Sequence, residues 1–300
     1  VVIVRPPIEV KASDIAICDG TSGTITATPT GGTGGPYTYQ WSNGPQTKSQ
    51  VVSPKLSNSP AKYVVTVNDG CSSPGYDTST VIVNPGSVGV LIGSDTVGCE
   101  PLKVTFNAVS NNGITYVWNF GDGNTATGVS PTHVYQNDGV YTVTVTVKTA
   151  AGCLTPIVDT NYITVYPVPT AEFSADPPHT TFISPIVNFK DLSQPDVTAW
   201  NWNFNDPVSG VNNTSKQKNP MHVFTGINIY NVRLIVTTKY GCIDTAYHLY
   251  DVADDFVFYI PNAFTPNDDG INEIFIPKGI GFDKNSYHMY IYDRWGNFIF

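Results

Sequence analysis

The chain has 300 residues, of which 13% are charged, and its 26 glycines, 23 prolines and 17 tyrosines divide it into short segments. So little charge and so many turn formers exclude a fold of long amphipathic helices and leave strands and tight turns. Fifteen basic against 24 acidic residues give a formal charge of −9, and with no basic cluster to offset it the chain would be repelled by nucleic acid and by anionic membrane surfaces.

The first residues, VVIVRPPIEV, carry neither a charged leader region nor an apolar leader core, and residues 1–7 read as the tail of a preceding module. No apolar run reaches the roughly 18 residues that span a bilayer. Three segments then share one pattern, an apolar strand, a proline break and a new strand: VVIVRPPIEVKAS at Pro6, TVIVNPGSVGVLIGS at Pro85 and YITVYPVPTAEFSAD at Pro167. The intervals, 85 minus 6 or 79 and 167 minus 85 or 82, suit a β-sandwich of about seven strands better than a solenoid repeat. Proline at each junction ends the strand ladder and stiffens the link.

Landmarks recur inside each repeat. Trp41 lies in YTYQWSNG, Trp118 in TYVWNFGDG and Trp202 in WNWNFNDP, each at the end of a strand entering a turn. Farther on, Tyr63, Val65 and Val67 alternate with polar residues, as do Tyr141, Val143, Val145 and Val147, and Tyr230, Val232, Leu234 and Val236. That period of two marks a half-buried strand. The tryptophans and tyrosines read as core, the other reading being an exposed aromatic platform for sugars.

These blocks carry family resemblances. WNFGDG at Trp118–Gly123, PTHVY at Pro131–Tyr135 and the YTVTVTV strand make residues 88–167 resemble a PKD domain, an immunoglobulin-like sandwich; residues 170–251 resemble a divergent copy, with Asn205 and Pro207 in place of Gly121 and Gly123 and His222 matching His133. The substitutions predict a longer or differently shaped turn. Residues 8–84 lack the GDG, and GGTGGPYTYQWSNG at Gly31–Gly44 resembles the SprB-type repeat of large adhesins from gliding bacteria. In residues 254–300, IPNAFTPNDDGINEIF and YIYDRWGNFIF resemble the gliding-motility-associated C-terminal domain of Bacteroidota surface proteins, the type B sorting domain of type IX secretion. The family domain normally continues farther, so the copy ending at Phe300 is expected to be incomplete. The resemblance implies recognition through Phe264, Pro266, Asn267, Gly270, Asn272, Asp293, Arg294, Trp295 and Gly296, although Pro266 and Gly270 also suit turns and Arg294 could pair with Asp293 or stack on Trp295. It implies the type IX translocon and its outer-membrane components as partners and the cell surface as destination.

Five cysteines are present, and Cys18 with Cys71 and Cys99 with Cys153 are separated by 53 and 54 residues. The matched spacing predicts one disulfide inside each of the first two modules and an unpaired Cys242, since Phe182 or Ile183 stands where an early partner would lie. Such a loop would stabilise by roughly 4 kcal/mol in the chain-entropy model. Free buried thiols in a reducing compartment are the alternative.

Catalytic signatures are missing: there is no G-x-S-x-G, H-E-x-x-H, P-loop or dinucleotide fingerprint. Asp254 and Asp255 sit in a linker, and His133 and His222 occur at matching positions, which suggests architecture rather than a catalytic base. In PNDDGINE, Asn267, Asp268, Asp269, Asn272 and Glu273 surround Gly270 and could hold calcium, although an Asx-rich turn explains the same residues. No other cofactor is implied. Asp95-Thr96-Val97 and Asp244-Thr245-Ala246 match a three-residue O-glycosylation pattern of Bacteroidota, marking Thr96 and Thr245. The resulting expectation is an all-β, non-enzymatic surface protein of tandem immunoglobulin-like sandwiches, an adhesin or gliding-associated stalk with a sorting domain behind it. The rival is a set of spacer or carbohydrate-binding modules from a secreted polysaccharide-degrading enzyme.

Overall fold

The structure, a computed structural model, describes residues 5–255, 257–261, 265, 267–268, 270, 273–280 and 288–299. The chain is all-β and divides into two compact units, one of residues 1–97 and 101–165 and the other of residues 98–100 and 166–300.

In the first unit, strands Ile8–Ala12, Gly23–Gly31 and Ser49–Val52 form one sheet, and Ile15–Cys18, Gly75–Asn84, Ala61–Asn68 and Thr38–Trp41 form another. Between them lies a core of Ile25, Trp41, Val65, Val67 and Val81. Farther along, a three-stranded sheet with Leu102–Ser110 at its centre accompanies a five-stranded sheet built on Gly113–Asn119, Gly139–Thr149 and Leu154–Tyr166. The core there contains Phe106, Trp118, Tyr135, Val143, Val145 and Val147. In the second unit, Ile186–Asp191 is flanked by Phe173–Asp176 and Met221–Val223, while Asn228–Thr238 is flanked by Val197–Asn203 and Ile243–Ala253. Phe189, Trp202, Val232, Leu234 and Val236 fill the space between those sheets.

The three tryptophans share one role. Trp41, Trp118 and Trp202 are all buried, and their indole N–H groups donate to the carbonyls of Thr47 (2.8 Å), Gly128 (2.8 Å) and Gln217 (2.9 Å). A buried indole needs such an acceptor, and it ties the strand bearing it to the neighbouring loop. The alternation read in the sequence holds, with Val143, Val145 and Val147 fully buried between half-exposed threonines.

The disulfides overturn the expected pairing. Cys18 bonds Cys153 and Cys99 bonds Cys242, with Cα–Cα distances of 5.6 and 5.7 Å, while Cys71 is free and exposed. Strand direction explains why. Cys18 ends a strand that runs parallel to Gly75–Asn84, opposite Asn84, whereas Cys71 sits in the turn before Gly75. The two therefore lie at opposite ends of a ten-residue strand, roughly 30 Å apart at about 3.3 Å per residue, where a disulfide needs Cα atoms within about 7 Å. Cys99 and Cys153 are separated in the same way by the 13-residue strand Leu154–Tyr166: Glu100 N–H donates to the Tyr166 carbonyl at 3.0 Å, and Cys153 precedes Leu154.

The residue matching Cys18 and Cys99 in the last sandwich is Thr181, just before the expected Phe182 or Ile183. Asp19, Glu100 and Phe182 each donate their N–H to the exit strand, at the carbonyls of Asn84 (2.9 Å), Tyr166 (3.0 Å) and Ala253 (3.0 Å). Cys18, Cys99 and Thr181 immediately precede those donors.

Candidate functional site

Two features concentrate chemistry: the histidine–carboxylate pairs of the sandwiches and the hairpin near the C-terminus. His133 Nε2 lies 2.7 Å from Asp122 Oδ2, and His222 Nε2 lies 3.1 Å from Asp206 Oδ2. Both imidazoles thus bond a carboxylate, and His222 bonds the Asn212 backbone as well. Each stacks on the phenylalanine entering the turn, Phe120 at 4.2 Å or Phe204 at 4.1 Å between ring centres, and meets Tyr135 or Phe224 edge-on.

Their environments differ. Asp122 Oδ1 also accepts the Asn124 backbone N–H at 3.0 Å, closing the GDG turn, in which the Phe120 N–H donates to the Asn124 carbonyl. Burial pushes this carboxyl up, but bonds from Asn124 and His133 outweigh burial and hold it below the usual carboxylate range. In the longer turn of the last sandwich, the Phe204 N–H donates instead to the Asn213 carbonyl, with the 3₁₀ segment Pro207–Asn213 inserted. Asp206 and His222 are both buried, and Asp206 also accepts the Thr225 N–H at 3.0 Å and the Thr225 hydroxyl. Burial pushes the His222 ring below its ordinary value, against opposing bonds and charge from Asp206 and a bond to Asn212. Asn205 adopts the left-handed backbone (φ 56°) that Gly121 adopts in the shorter turn (φ 87°). With Asp122 committed to the backbone and side-chain amides of Asn124, and Asp206 to the N–H and hydroxyl of Thr225, each pair works as a turn clasp.

Other acidic candidates are committed similarly. Asp255 Oδ2 accepts the Ile183 N–H at 2.7 Å, and Asp254 Oδ1 accepts the Asp255 N–H at 2.9 Å. In the PNDDGINE segment, both Glu273 carboxylate oxygens take backbone donors, Asp268 at 3.0 Å and Gly270 at 3.1 Å, and Gly270 has φ 80°. Asp269 and Asn272 of the calcium set, and Phe264, Pro266 and Asn272 of the sorting set, lie outside the described residues. Among the described residues, no cluster of three or more histidine, cysteine or acidic side chains is arranged to hold a metal. Thr96 and Thr245 are partly buried, and Asp244 beside the latter accepts the Ala171 N–H at 2.7 Å.

At the C-terminal end, Val257–Tyr259 pairs with Lys278–Ile280, and Tyr292 bridges Phe298 across the turn DRWGN. Asp293 organises that turn. Its Oδ1 accepts the N–H groups of Trp295 and Asn297, both at 2.8 Å, and its Oδ2 accepts the Asn297 side-chain amide at 2.8 Å. These bonds, that of the Asn297 side chain foremost, hold the carboxyl below the usual range. Gly296 supplies the left-handed residue at φ 88°. With Asp293 so engaged, Arg294 stacks on Trp295, its guanidinium 4.9 Å from the ring centre. Trp295 is 76% exposed, and Tyr290, Tyr292, Phe298 and Ile299 are also exposed. Of the residues expected to act in sorting, Asp293, Arg294, Trp295 and Gly296 thus sit together in one tight turn that displays an aromatic surface. Among the described residues no helix is long and apolar enough to cross a membrane, which leaves membrane β-barrels unaddressed.

Comparison with known proteins follows this division. Residues 88–165 and 166–251 each match the PKD domain, residues 16–46 match the SprB repeat, and residues 258–300 match the CHU_C type IX secretion signal domain. Among curated proteins, the collagenase ColA of Bacillus cereus is 58% identical over 45 residues, 14% of this chain and 5% of that protein. The microbial collagenase of Vibrio alginolyticus is 33% identical over 76 residues, 24% of this chain and 9% of that protein. The chain therefore spans less than a tenth of either relative. Among solved structures, the PKD1 domain of Vibrio anguillarum Epp aligns at 25% identity and TM-score 0.24 over 28% of this chain and 99% of that one. Titin domains I67–I69 align at 11% identity and TM-score 0.41 over 85% of this chain and 100% of that one. With two matches that together cover more than half of its residues, the chain belongs to the PKD-domain family, and it carries a SprB repeat and a type IX secretion signal domain beside them.

Proposed function

We propose that the chain is a non-enzymatic part of a modular surface adhesin or gliding-associated protein, in which the sandwiches form a stalk and the C-terminal domain is the sorting signal. The match of residues 258–300 to a type IX secretion signal domain carries this reading. It supports a route across the outer membrane, to the cell surface or beyond, and the type IX translocon with its outer-membrane components is the proposed partner. Disulfides suit that oxidising destination. The exposed DRWGN turn, with Arg294 stacked on Trp295, is the proposed recognition element, alongside Phe264, Pro266, Asn267, Gly270 and Asn272. A surface polysaccharide is the ligand class proposed for the first sandwich, where Tyr37, Tyr39, Gln40, Gln46, Thr66 and Asn68 line a cleft of about 420 Å³. Thr96 and Thr245 remain proposed glycan sites, and calcium a proposed ligand of the PNDDGINE turn.

A second reading draws on the collagenase matches, in which the similar stretch is a small fraction of the collagenase. These sandwiches would then be spacers beside a catalytic domain. A reporter directed to the periplasm and fused to residues 254–300 tests the sorting element. Surface display in a strain with an intact type IX system, lost without that system and reduced by Arg294→Ala with Trp295→Ala, is the expected result. Equal display with and without the system would remove the sorting assignment.

A further inference from the structure

The two disulfides follow one rule of placement. In each, one half is the residue just before the N–H that bonds the exit strand of a sandwich, Cys18 before Asp19 or Cys99 before Glu100. The other half lies in the hairpin turn before the last long strand of the next sandwich, Cys153 before Leu154–Tyr166 or Cys242 before Ile243–Ala253. The receiving turns are built alike. The N–H of Cys153 donates to Thr149 Oγ1 and that of Cys242 to Thr238 Oγ1, both at 3.2 Å, and the threonine N–H returns a bond to the cysteine carbonyl at 2.9 Å in both. Both receiving cysteines are 1% exposed. Beside the second link, Tyr166 and Tyr240 stack at 3.6 Å between ring centres.

Cys71 occupies the same hairpin of the first sandwich, between Ala61–Asn68 and the last long strand Gly75–Asn84. Its turn, residues 69–74, is two residues longer than residues 150–153 or 239–242, so Cys71 stands farther from the following strand, and it is held by Asp69, whose Oδ1 accepts the N–H groups of Cys71 at 3.0 Å and Ser72 at 2.7 Å. Unlike its two counterparts it is exposed and reduced. At the other end of the series, the donor position is filled by Thr181, which cannot form a disulfide. Each closed link therefore runs from a donor in one sandwich to a receiver in the next, and the open receiver is the one with no donor sandwich on its N-terminal side in these residues.

We infer that Cys71 is the receiving half of a third link of this series, closed by a cysteine at the Cys18 or Cys99 position of an immunoglobulin-like sandwich joined ahead of Pro6. Closing it takes one proton and one electron from each thiol. Both electrons pass to an exchanging disulfide, such as oxidised glutathione, which leaves as two thiols. The observation that lifts Cys71 above a stray surface thiol is the oxidised state of both cysteines in the corresponding hairpins of the same chain.

The test lengthens the whole chain by one repeat. A second copy of residues 5–84 is placed ahead of Pro6, so that its Asn84 meets Pro6 as Asn84 meets Pro85 in the chain itself, and the protein is refolded with oxidised and reduced glutathione. Maleimide labelling followed by non-reducing digestion should find one free thiol, on Cys71 of the added copy, and a peptide joining Cys18 of that copy to the original Cys71. Replacing the added Cys18 with serine should return the label to the original Cys71 while Cys18–Cys153 and Cys99–Cys242 stay closed, which separates a failed link from a failed fold. Three labelled thiols with both existing disulfides intact would overturn the inference. So would chains joined to one another through Cys71, which would mark it as a contact between copies.

Discussion

The disulfide connectivity sets how far the chain can be pulled out. Between Cys18 and Cys242 the reduced chain has 242 minus 18, or 224, residues of contour, whereas the oxidised chain offers a shortcut: Cys18 to Cys153, back along the chain to Cys99, and across to Cys242. That route contains 153 minus 99, or 54, residues. At about 3.5 Å per extended residue, the contours are roughly 780 Å and 190 Å, so oxidation should remove about 600 Å of extension. Single-molecule stretching from handles at the two ends, with and without a phosphine reductant, reads this difference directly. Single substitutions give intermediate values. Cys99→Ser leaves 242 minus 153, or 89, residues between the anchor points, and Cys18→Ser leaves 99 minus 18, or 81, which corresponds to about 310 and 280 Å. Disulfides closed within single modules would instead let much of both intermodule chain segments extend. Equal total extension in oxidised and reduced protein would refute the connectivity, and with it the idea that the middle sandwich lies on the load path while residues 19–98 and 154–241 are bypassed.

Acid should weaken the last sandwich through His222. Its ring is pushed below the ordinary value near 6.5, chiefly by burial, so the folded state favours the neutral imidazole; the stability this contributes is present above about pH 6.5 and is lost as pH falls through that value towards the lower folded one. Urea midpoints of the full chain at pH 7.5 and 5.5 should differ, and His222→Asn should shrink the difference; identical midpoints for the parent protein would contradict the assignment. Asp122 is held below its ordinary value of 3.8, so its contribution should survive at pH 5.5 and disappear only as pH falls below about 4; an Asp122→Asn variant with an unchanged acid-unfolding curve would count against this. In the GDG turn, Gly121→Ala places a Cβ against the Thr142 carbonyl at φ 87° and should cost about 1–3 kcal/mol, whereas Asn205→Gly, at a site already left-handed, should change stability by less than about 0.5 kcal/mol. Urea denaturation measures both, and a neutral Gly121→Ala would show that the turn can rearrange.

Much of the sandwich architecture is legible because local chemistry dictates it. The run Tyr141 to Val147 alternates in sequence because one face of the strand is buried, and the three tryptophans recur because each closes a core and needs a carbonyl for its indole. The replacement of Gly121 and Gly123 by Asn205 and Pro207 predicts a longer or differently shaped turn, because proline cannot adopt the left-handed backbone of Gly123 (φ 92°), and the turn is the longer one. The role of Asp206 was harder to see. Nothing along the sequence distinguishes a carboxylate that clasps a buried imidazole from one that faces water, and only the return of the Met221–Val223 strand brings His222 to it. The exposed Arg294–Trp295 stack was legible as one of two options, and the choice followed from Asp293 being claimed by Asn297.

The cysteines show what periodicity alone cannot decide. Separations of 53 and 54 residues are equal because the repeats are equal in length, and equal repeats place equivalent residues at equivalent points of each sandwich, not near one another. In a sandwich whose last strand runs from the hairpin turn to the exit, a cysteine in that turn and one beside the exit are held a full strand length apart. The only thiol that can reach either belongs to an adjoining module. The leftover Cys242 was the sequence signal for this: a module with one cysteine, in a chain where its neighbours have two, implies pairing that crosses module boundaries. Read that way, donor and receiver positions impose a direction on the series, since Thr181 closes it on one side and Cys71 leaves it open on the other. A ladder with that polarity can add modules on its N-terminal side without altering any link already made.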